Sequence, residues 1–396
     1  MTPADRARAS SPLDMALDVF RMRQYFDVVV RARDLASATT RDLRFLGAVR
    51  RGLVPLPFDR RPPGAAVFDP SVDPSVDPLP PGLRGRVAVV TTGGSGALAS
   101  LVGVARALEE TGTRVSVYSV CSGAALFGFP LGAGMPAEEV AELNASMAPH
   151  DYLDPGWREL ALLAPTLGRG WAGLLRGDRI ESFYRRHLGD LTLGQLQVPT
   201  YAPIWNVEHN RLDYLGPHTY PDLPVARAIR MALSLPLFVQ PVMLDDLAWC
   251  DGGIVDIFPV HPVLDLEAPV DRAIALNGFY PHDFQGEDVS GWDRRPFSIV
   301  TAASQVRTSQ QAQLARENIA RLRAATDTVL IEPVPYQKVA GTGFYHQFID
   351  TAEWPAFMRA GRTTMLDTLR RMGLTDGEAG LAVPGRGSHR PRPPGC

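Results

Sequence analysis

The sequence has few lysines, few cysteines and no long apolar run. Lys338 is the only lysine in 396 residues. The arginines of the chain are interspersed with acidic residues, and the formal net charge is −3. Without a basic stripe the chain is a poor candidate for binding nucleic acid, so we expect no nucleic-acid partner. No window approaches the roughly 18 consecutive apolar residues of a membrane-spanning helix. We therefore expect no transmembrane segment.

Cysteine is scarce as well, with only Cys121, Cys250 and Cys396 at unpaired spacings. Three scattered cysteines exclude a disulfide framework and do not resemble a zinc site, so we expect neither a metal nor another cofactor. A cysteine with a special role here would act through its reactivity. The first twenty residues lack the apolar centre of a secretory signal, which predicts a cytoplasmic protein.

The composition, 45% hydrophobic and 21% charged, is typical of a soluble globular protein. Apolar residues at helical spacing after Ser11 predict a helical N-terminal extension over 1–59, which either packs on the main domain or binds a partner. The tandem "PSVDPSVDP" predicts a proline-rich linker over 60–85. We expect the main domain over 86–375 and a disordered tail over 376–396. The sequence leaves the oligomeric state open.

The main domain begins with a pattern of alternating strands and helices. "RVAVV" predicts a buried strand, apolar residues at helical spacing follow a glycine tract, and "TRVSVYSV" predicts a second strand. Such a β-α-β unit indicates an α/β fold with a largely parallel sheet. We expect mostly helix over 135–196, short strands over 229–262, and then a helix, a strand and a last helix near 351–371.

The glycine tract "TTGGSGALASL" lies between the first strand and its helix, where backbone N–H groups can cradle an anion. A dinucleotide site fits poorly, because the second strand ends without an acid for a ribose and Lys338 is not part of a Tyr-x-x-x-Lys pair. The tract is then either a simple turn or an oxyanion hole, and an oxyanion hole needs a nucleophile nearby.

A candidate nucleophile follows the second strand in "SVYSVCSGAALFG", residues 116–128. A nucleophile on a sharp strand-to-helix turn needs small residues two places before and after it. Both flanks are small when the turn is centred on Cys121, whereas Val120 is one flank when it is centred on Ser122. The flanks alone therefore do not favour the serine. They do not establish a nucleophile either, since a buried crossing of small residues has the same pattern.

A base for this nucleophile is not obvious, because the histidines are dispersed and fall in no recognisable motif. Asp251 is more informative, since "WCDGGIVDIFPV" places its carboxylate on a tight turn directly after a strand. Taken alone, an Asp-Gly-Gly sequence is only a turn.

Together these segments resemble the patatin-like phospholipase family. "TTGGSGALASLVGVARALEETG" is similar to its oxyanion segment, "VCSGAALFG" to its Gly-x-Ser-x-Gly elbow, and "WCDGGIVDIFPVHPV" to its aspartate segment. The motifs cover about 86–262. The resemblance implies a three-layer α/β/α fold with a mostly parallel central sheet, an acyl ester or lipid substrate, and a Ser-Asp dyad that requires no histidine.

Residue by residue, the resemblance implies Ser122 as nucleophile and Asp251 as its partner, with an oxyanion hole formed by Gly93, Gly94, Ser95 and Gly123. A carboxylate partner suits a hydroxyl, which favours Ser122 over Cys121. Two departures weaken the match. Val120 and Ala124 replace both elbow glycines, and Ala97 stands where the family commonly has Arg or Lys.

Two alternatives stay open at this point. The first is acyl transfer through Cys121, because a thiolate is both a good nucleophile and a good leaving group. The second is a catalytically silent fold that binds an acyl chain or a partner protein. An apolar insert around Trp157, Trp171, Leu174 and Leu175 either roofs an acyl pocket or is an ordinary packed layer.

Overall fold

The computed structural model describes residues 66–68, 78–156, 173–278, 299–335, 347 and 351–373. The predicted extension over 1–59 and the predicted tail over 376–396 lie outside the described residues. So do Trp157 and Trp171 of the apolar insert.

A central sheet runs through the described part of the chain. Its eight strands lie in the order β10-β9-β1-β2-β4-β8-β7, and β5 pairs with β4 off this path. The strands are β1 (Val87–Thr91), β2 (Val115–Ser119), β4 (Thr200–Asn206), β5 (Arg211–Leu215), β7 (Val242–Leu244), β8 (Leu247–Asp251), β9 (Arg272–Leu276) and β10 (Asp327–Ile331). A separate two-stranded sheet pairs β3 (Gly173–Leu175) with β6 (Leu237–Val239).

The five strands from β10 to β4 are parallel, while β5, β7 and β8 extend the sheet in antiparallel fashion. The described helices are α1 (Ser100–Glu110), α2 (Ala125–Gly132), α3 (Ala137–Ala145), α4 (Pro149–Tyr152), α5 (Asp178–Leu188), α6 (Val225–Ala232), α7 (Ile299–Ala325) and α8 (Trp354–Arg371). Because β1 and β2 are parallel neighbours joined by α1, the predicted β-α-β unit is confirmed.

The two faces of the sheet belong to two different hydrophobic clusters. Alternate residues of β1 separate accordingly, with Val87 and Val89 on one face and Ala88 and Val90 on the other. Helices α1, α2, α6 and α8 cover the first face, and α7 covers the second. The expected three-layer α/β/α architecture is therefore confirmed.

Close contact between α1 and α8 explains why small residues recur in both helices. A Cβ on Gly103 would lie 1.7 Å from the carbonyl oxygen of Met358, and one on Gly361 would lie 2.0 Å from that of Ser100. This crossing anchors the C-terminal helix against the segment that follows the glycine tract.

The expectation of mostly helix over 135–196 holds only in part. Helices α3, α4 and α5 lie there, but so does strand β3, which pairs in parallel with β6 from a later part of the chain. A short apolar run does not reveal by its periodicity whether it is helix or strand, and the distant partner decided the outcome here.

Part of the predicted linker packs on the main domain. Val67, Phe68 and Leu83 are buried. Arg359 of α8 donates a hydrogen bond to the carbonyl of Val67 at 3.3 Å, and the guanidinium of Arg106 in α1 lies 5.9 Å from the ring centre of Phe68. These described residues of the linker are thus held by the two crossing helices.

Candidate active site

The turn after β2 bends the chain sharply at Ser122. Cys121 still has an extended backbone, whereas Ser122 has φ of +53° and begins a 3-10 turn (Ser122–Ala124) that leads into α2. A positive φ is uncommon for a residue other than glycine and costs about 1–3 kcal/mol, so it persists only where the surroundings impose it. The strained position is therefore Ser122 and not Cys121.

Val120, the residue that departs from the small flanks expected of such a turn, is accommodated by the helix that follows. Its side chain is fully buried, and a Cβ on Gly128 of α2 would lie only 2.5 Å from its Cγ1. The missing side chain at Gly128 thus provides the space that Val120 fills, and the turn keeps its shape without a glycine there.

Asp251 ends β8 and is almost completely buried, with 1% of its surface exposed. Its carboxylate accepts a hydrogen bond from the N–H of Gly253 at 2.8 Å and another from the hydroxyl of Ser122. Burial raises the pKa of Asp251 to about 6, while these two hydrogen bonds oppose the rise. The nucleophile and the base predicted from sequence are thus in direct contact.

The pairing of β4 explains why residues 129 positions apart meet. β4 lies between β2 and β8, with Ser119 beside Tyr201 on one side and Asp251 beside Ile204 on the other. Ile204 is three positions after Tyr201, and Ser122 is three positions after Ser119. The ends of β2 and β8 therefore reach the same level of the sheet from opposite sides of β4.

Cys121 points away from this contact. It is fully buried in the second hydrophobic cluster, and its Sγ donates to the carbonyl oxygen of Asp256 at 3.6 Å. Burial raises the pKa of the Cys121 thiol well above its usual value, and the nearby charges of Asp251 and Asp256 raise it further. The thiol is kept protonated, which disfavours it as a nucleophile.

The predicted oxyanion donors do not all stand in the same situation. The N–H of Gly93 already donates to the carbonyl of Ile257 at 2.7 Å, so it is not available to an oxyanion. None of the backbone-to-backbone hydrogen bonds in the described part of the chain uses the N–H of Gly94, Ser95 or Gly123. These three remain candidate donors.

The glycine tract and the nucleophile turn are in contact. A Cβ on Gly123 would lie 2.5 Å from the carbonyl oxygen of Gly94 and 3.5 Å from that of Ser95. Only a glycine at position 123 allows this approach, which brings the candidate donors of the two segments to one place beside Ser122.

An apolar cavity opens at this place, with an empty volume of about 520 Å³ that includes solvent at its mouth. Ser95, Gly96 and Gly123 line its end at the candidate oxyanion hole. Apolar and aromatic side chains form most of the remainder, namely Leu126, Met147, Tyr152, Leu175, Ile180, Leu233, Val239 and Trp354, together with Gly177. All of these lining residues are uncharged.

The apolar insert contributes to this cavity through Leu175, as one of the two sequence interpretations predicts. Leu174 instead packs half-buried against the main core, as the other interpretation predicts. Trp157 and Trp171 lie outside the described residues.

Sequence reasoning missed the contribution of Trp354, the first residue of α8. Its ring lines the cavity, its Nε1 donates to the carbonyl of Gln347 at 2.9 Å, and a Cβ on Gly96 would lie 2.0 Å from that nitrogen. No local pattern signals a contact between residues so far apart in the chain.

The described residues hold neither a metal-binding cluster nor a membrane-spanning helix. No group of three or more histidine, cysteine, aspartate or glutamate side chains there is arranged to hold a metal ion. None of the helices described is both long and apolar enough to cross a membrane.

Residues 89–264 match the family model described as patatin-like phospholipase. The resemblance inferred from the glycine tract, the elbow and the aspartate turn is therefore confirmed over this segment.

Curated relatives include an uncharacterized NTE family protein of Mycobacterium tuberculosis, 27% identical over 193 residues, which are 49% of this chain and 49% of the relative. Uncharacterized protein YqhO of Bacillus subtilis is 28% identical over 190 residues, covering 43% of this chain and 64% of YqhO. The match thus spans about half of the length of the mycobacterial relative.

Among solved structures, VipD from Legionella pneumophila matches with a TM-score of 0.39 and 14% identity, over 78% of this chain and 73% of VipD. Human GIVD cytosolic phospholipase A2 matches with a TM-score of 0.38 and 11% identity, over 84% of this chain and 67% of that chain.

Proposed function

We propose that this protein is a serine acyl hydrolase of the patatin-like kind, which forms an acyl-enzyme on Ser122 with Asp251 as its base. One observation carries the proposal: the hydroxyl of a serine held at φ of +53° donates to a buried carboxylate, and the next residue, Gly123, lines an apolar cavity. The family match over 89–264 supports a lipid or acyl ester as the substrate.

In the first half of the reaction, Ser122 Oγ attacks the acyl carbonyl carbon while its proton passes to the carboxylate of Asp251. The new Oγ–C bond makes a tetrahedral intermediate. Collapse of the intermediate breaks the bond to the leaving alcohol, which takes the proton from Asp251. The raised pKa of Asp251, about 6, makes it a stronger base than an exposed aspartate while leaving it mostly ionised at neutral pH.

In the second half, a water molecule attacks the acyl carbonyl carbon and Asp251 accepts its proton. Collapse of this second tetrahedral intermediate breaks the bond to Ser122 Oγ, which takes the proton back from Asp251, and releases the carboxylic acid. The tetrahedral oxyanion of either half would receive hydrogen bonds from the N–H groups of Gly94, Ser95 and Gly123. Each such donor contributes about 3 kcal/mol to transition-state stabilisation. No cationic side chain supplements them at position 97, which is a fully buried alanine.

The cavity favours an acyl chain over a polar group. Its described lining is uncharged, and a hydrocarbon chain seated there gains about 0.8 kcal/mol for each methylene group removed from water. We therefore expect esters of medium or long acyl chains to be better substrates than acetyl esters.

Transfer through Cys121 has less support. The thiol is fully buried, donates to the carbonyl of Asp256 and has a pKa raised well above its usual value. A silent fold that only binds acyl chains agrees with the cavity but gives no reason for the hydrogen bond between Ser122 and Asp251.

Covalent labelling tests the proposal. The protein and the variants Ser122→Ala and Cys121→Ala are incubated with an alkyl fluorophosphonate, and intact masses are measured. We expect one phosphonyl adduct on the unmodified protein and on Cys121→Ala, and none on Ser122→Ala. The reverse pattern would transfer the nucleophile to Cys121, and a folded protein that forms no adduct would instead support the silent fold.

A further inference from the structure

Arg230, in the middle of α6, is a buried arginine with 4% of its surface exposed. Within the described part of the chain it forms no ion pair with a carboxylate, and burial lowers its pKa. Burying a charge without a paired acid is expensive unless its hydrogen bonds are satisfied. The partners of its guanidinium therefore indicate what this residue does.

Those partners are carbonyl groups at the ends of two strands. Nη2 of Arg230 donates to the carbonyl of Arg176, directly after β3, and to that of Gln240, directly after β6, at 2.8 Å in the second case. β3 and β6 are the two strands of the small parallel sheet. A single nitrogen thus joins the ends of both strands.

This small sheet is a wall of the apolar cavity. Leu175 at the end of β3, Val239 at the end of β6 and the neighbouring Gly177 all line it. The guanidinium lies directly against Gly177, where a Cβ would be 2.1 Å from Nε of Arg230. Arg230 therefore supports this wall from outside the cavity.

The same side chain is connected to the strand that holds the proposed base. Nη1 donates to the hydroxyl of Ser234 at 2.5 Å, and the carbonyl of Ser234 accepts the N–H of Asp251 at 3.0 Å. The wall of the cavity and the backbone at Asp251 are thus fixed to one another through Arg230 and Ser234.

We propose that Arg230 is the positioning residue that sets acyl-chain selectivity, by holding the wall formed by β3, β6 and Gly177 at a fixed distance from the dyad. This inference rests on the proposed function, because it concerns the cavity of the same site. A long acyl chain contacts that wall along its length, whereas an acetyl group does not reach it.

Two variants of Arg230 test the proposal against a matched control. Arg230→Gln removes the charge and the planar guanidinium. Arg230→Lys keeps the charge, but a single ammonium cannot reach Arg176, Gln240 and Ser234 at once. The control is Arg227→Gln, one turn earlier on α6. Arg227 is half-buried and also donates to a backbone carbonyl, that of Met243 at 2.8 Å, but this hydrogen bond is exposed to solvent.

The measured quantity is the ratio of kcat/KM for p-nitrophenyl octanoate to kcat/KM for p-nitrophenyl acetate. Each methylene seated on the wall is worth about a factor of four in binding, so losing two such contacts lowers the ratio about 15-fold. We expect this fall in Arg230→Gln. In Arg230→Lys we expect a smaller fall, caused by a higher KM for the octanoate, and in Arg227→Gln an unchanged ratio.

A structural defect alone would lower kcat/KM for both esters equally and leave their ratio unchanged. That result in a folded Arg230→Lys variant would overturn the inference. If Arg230→Gln does not fold, Arg230→Lys decides. A fall in the ratio of Arg227→Gln as large as that of the Arg230 variants would also overturn it. An unmodified protein that hydrolyses neither ester and forms no adduct at Ser122 overturns the proposed function itself, and this inference with it.

Discussion

Two 3-10 turns that follow strands of the sheet position the two side chains of the proposed dyad, and they do so by different means. In the turn after β2, Ser122 is placed by its backbone, which has φ of +53°. In the turn after β8, Asp251 has φ of −54° and is placed by its own hydrogen bond to the N–H of Gly253. The serine side chain is half-buried and the aspartate is 1% exposed.

The difference follows from what each group must do. A nucleophile has to be reachable, so its position is fixed through the main chain while its side chain remains only half-buried. A base has to be preorganised and desolvated, so burial and hydrogen bonds hold its carboxylate. The comparison predicts that the two turns respond differently to substitution.

The largest effect is expected at the aspartate turn. Asp251→Asn keeps the size of the side chain, and its amide oxygen can still accept from Gly253, but it cannot accept the proton of Ser122. We expect kcat to fall by about 10²–10⁴-fold while the fold is retained. Steady-state kinetics with circular dichroism as control checks this. Unchanged turnover at saturating substrate would mean that another group takes the proton.

The nucleophile turn should be most sensitive in its backbone. Gly123→Ala would place a Cβ 2.5 Å from the carbonyl oxygen of Gly94, which forces the two segments with the candidate oxyanion donors apart. Loss of one well-placed donor corresponds to a fall in kcat of about 10²-fold. Turnover is compared at equal folded fraction, determined by thermal unfolding. A fully active, folded Gly123→Ala would exclude this turn from the oxyanion hole.

The pH dependence of kcat/KM addresses the aspartate turn without a mutation. Because Asp251 must be ionised to accept a proton and its pKa is about 6, activity should fall as the pH drops below about 6. The expected slope is about tenfold per pH unit, with a plateau above pH 7. If kcat/KM instead falls only near the pKa of an exposed aspartate, that result would contradict the burial of this base.

The smallest effect is expected where Val120 fits against α2. Gly128→Ala would place a Cβ 2.5 Å from Cγ1 of Val120 and should lower the free energy of unfolding by about 1–3 kcal/mol. The double variant Val120→Ala with Gly128→Ala should recover part of that loss, because the smaller side chain leaves room. Urea unfolding measures both. Additive losses would mean that the two positions do not share this space.

The two turns also differ in how far the sequence predicted them. Asp251 before two glycines, after a strand, is a local pattern, and its resemblance to a known segment led directly to the residue proposed here as the base. At the other turn the small flanks fitted Cys121 better than Ser122, and the preference for Ser122 rested on the resemblance and on the carboxylate partner. The structure distinguishes them by the positive φ at Ser122 and the full burial of the Cys121 thiol, and the local sequence indicates neither.

The sheet was predictable for a similar reason. Buried strands and the β-α-β unit are local patterns, whereas strand β3 exists only because β6 lies beside it. Gly93 was predicted as an oxyanion donor from its place in the glycine tract, yet its N–H is used by Ile257 of another segment. Arg230 gave one signal, a charged residue among the apolar residues of "AIRMAL", but its partners became identifiable only in three dimensions.

The burial of Asp251 has a consequence for the thermodynamic stability of the whole protein. Folding raises the pKa of Asp251 from 3.8 to about 6, so the folded protein binds a proton at this residue more tightly than the unfolded chain does. The resulting stabilisation of the fold is complete below pH 3.8 and is lost as the pH rises through about 6. At neutral pH the ionised base thus destabilises the fold by about 3 kcal/mol. The same Asp251→Asn change that removes activity should therefore raise the melting temperature at pH 7 and have little effect on it at pH 4.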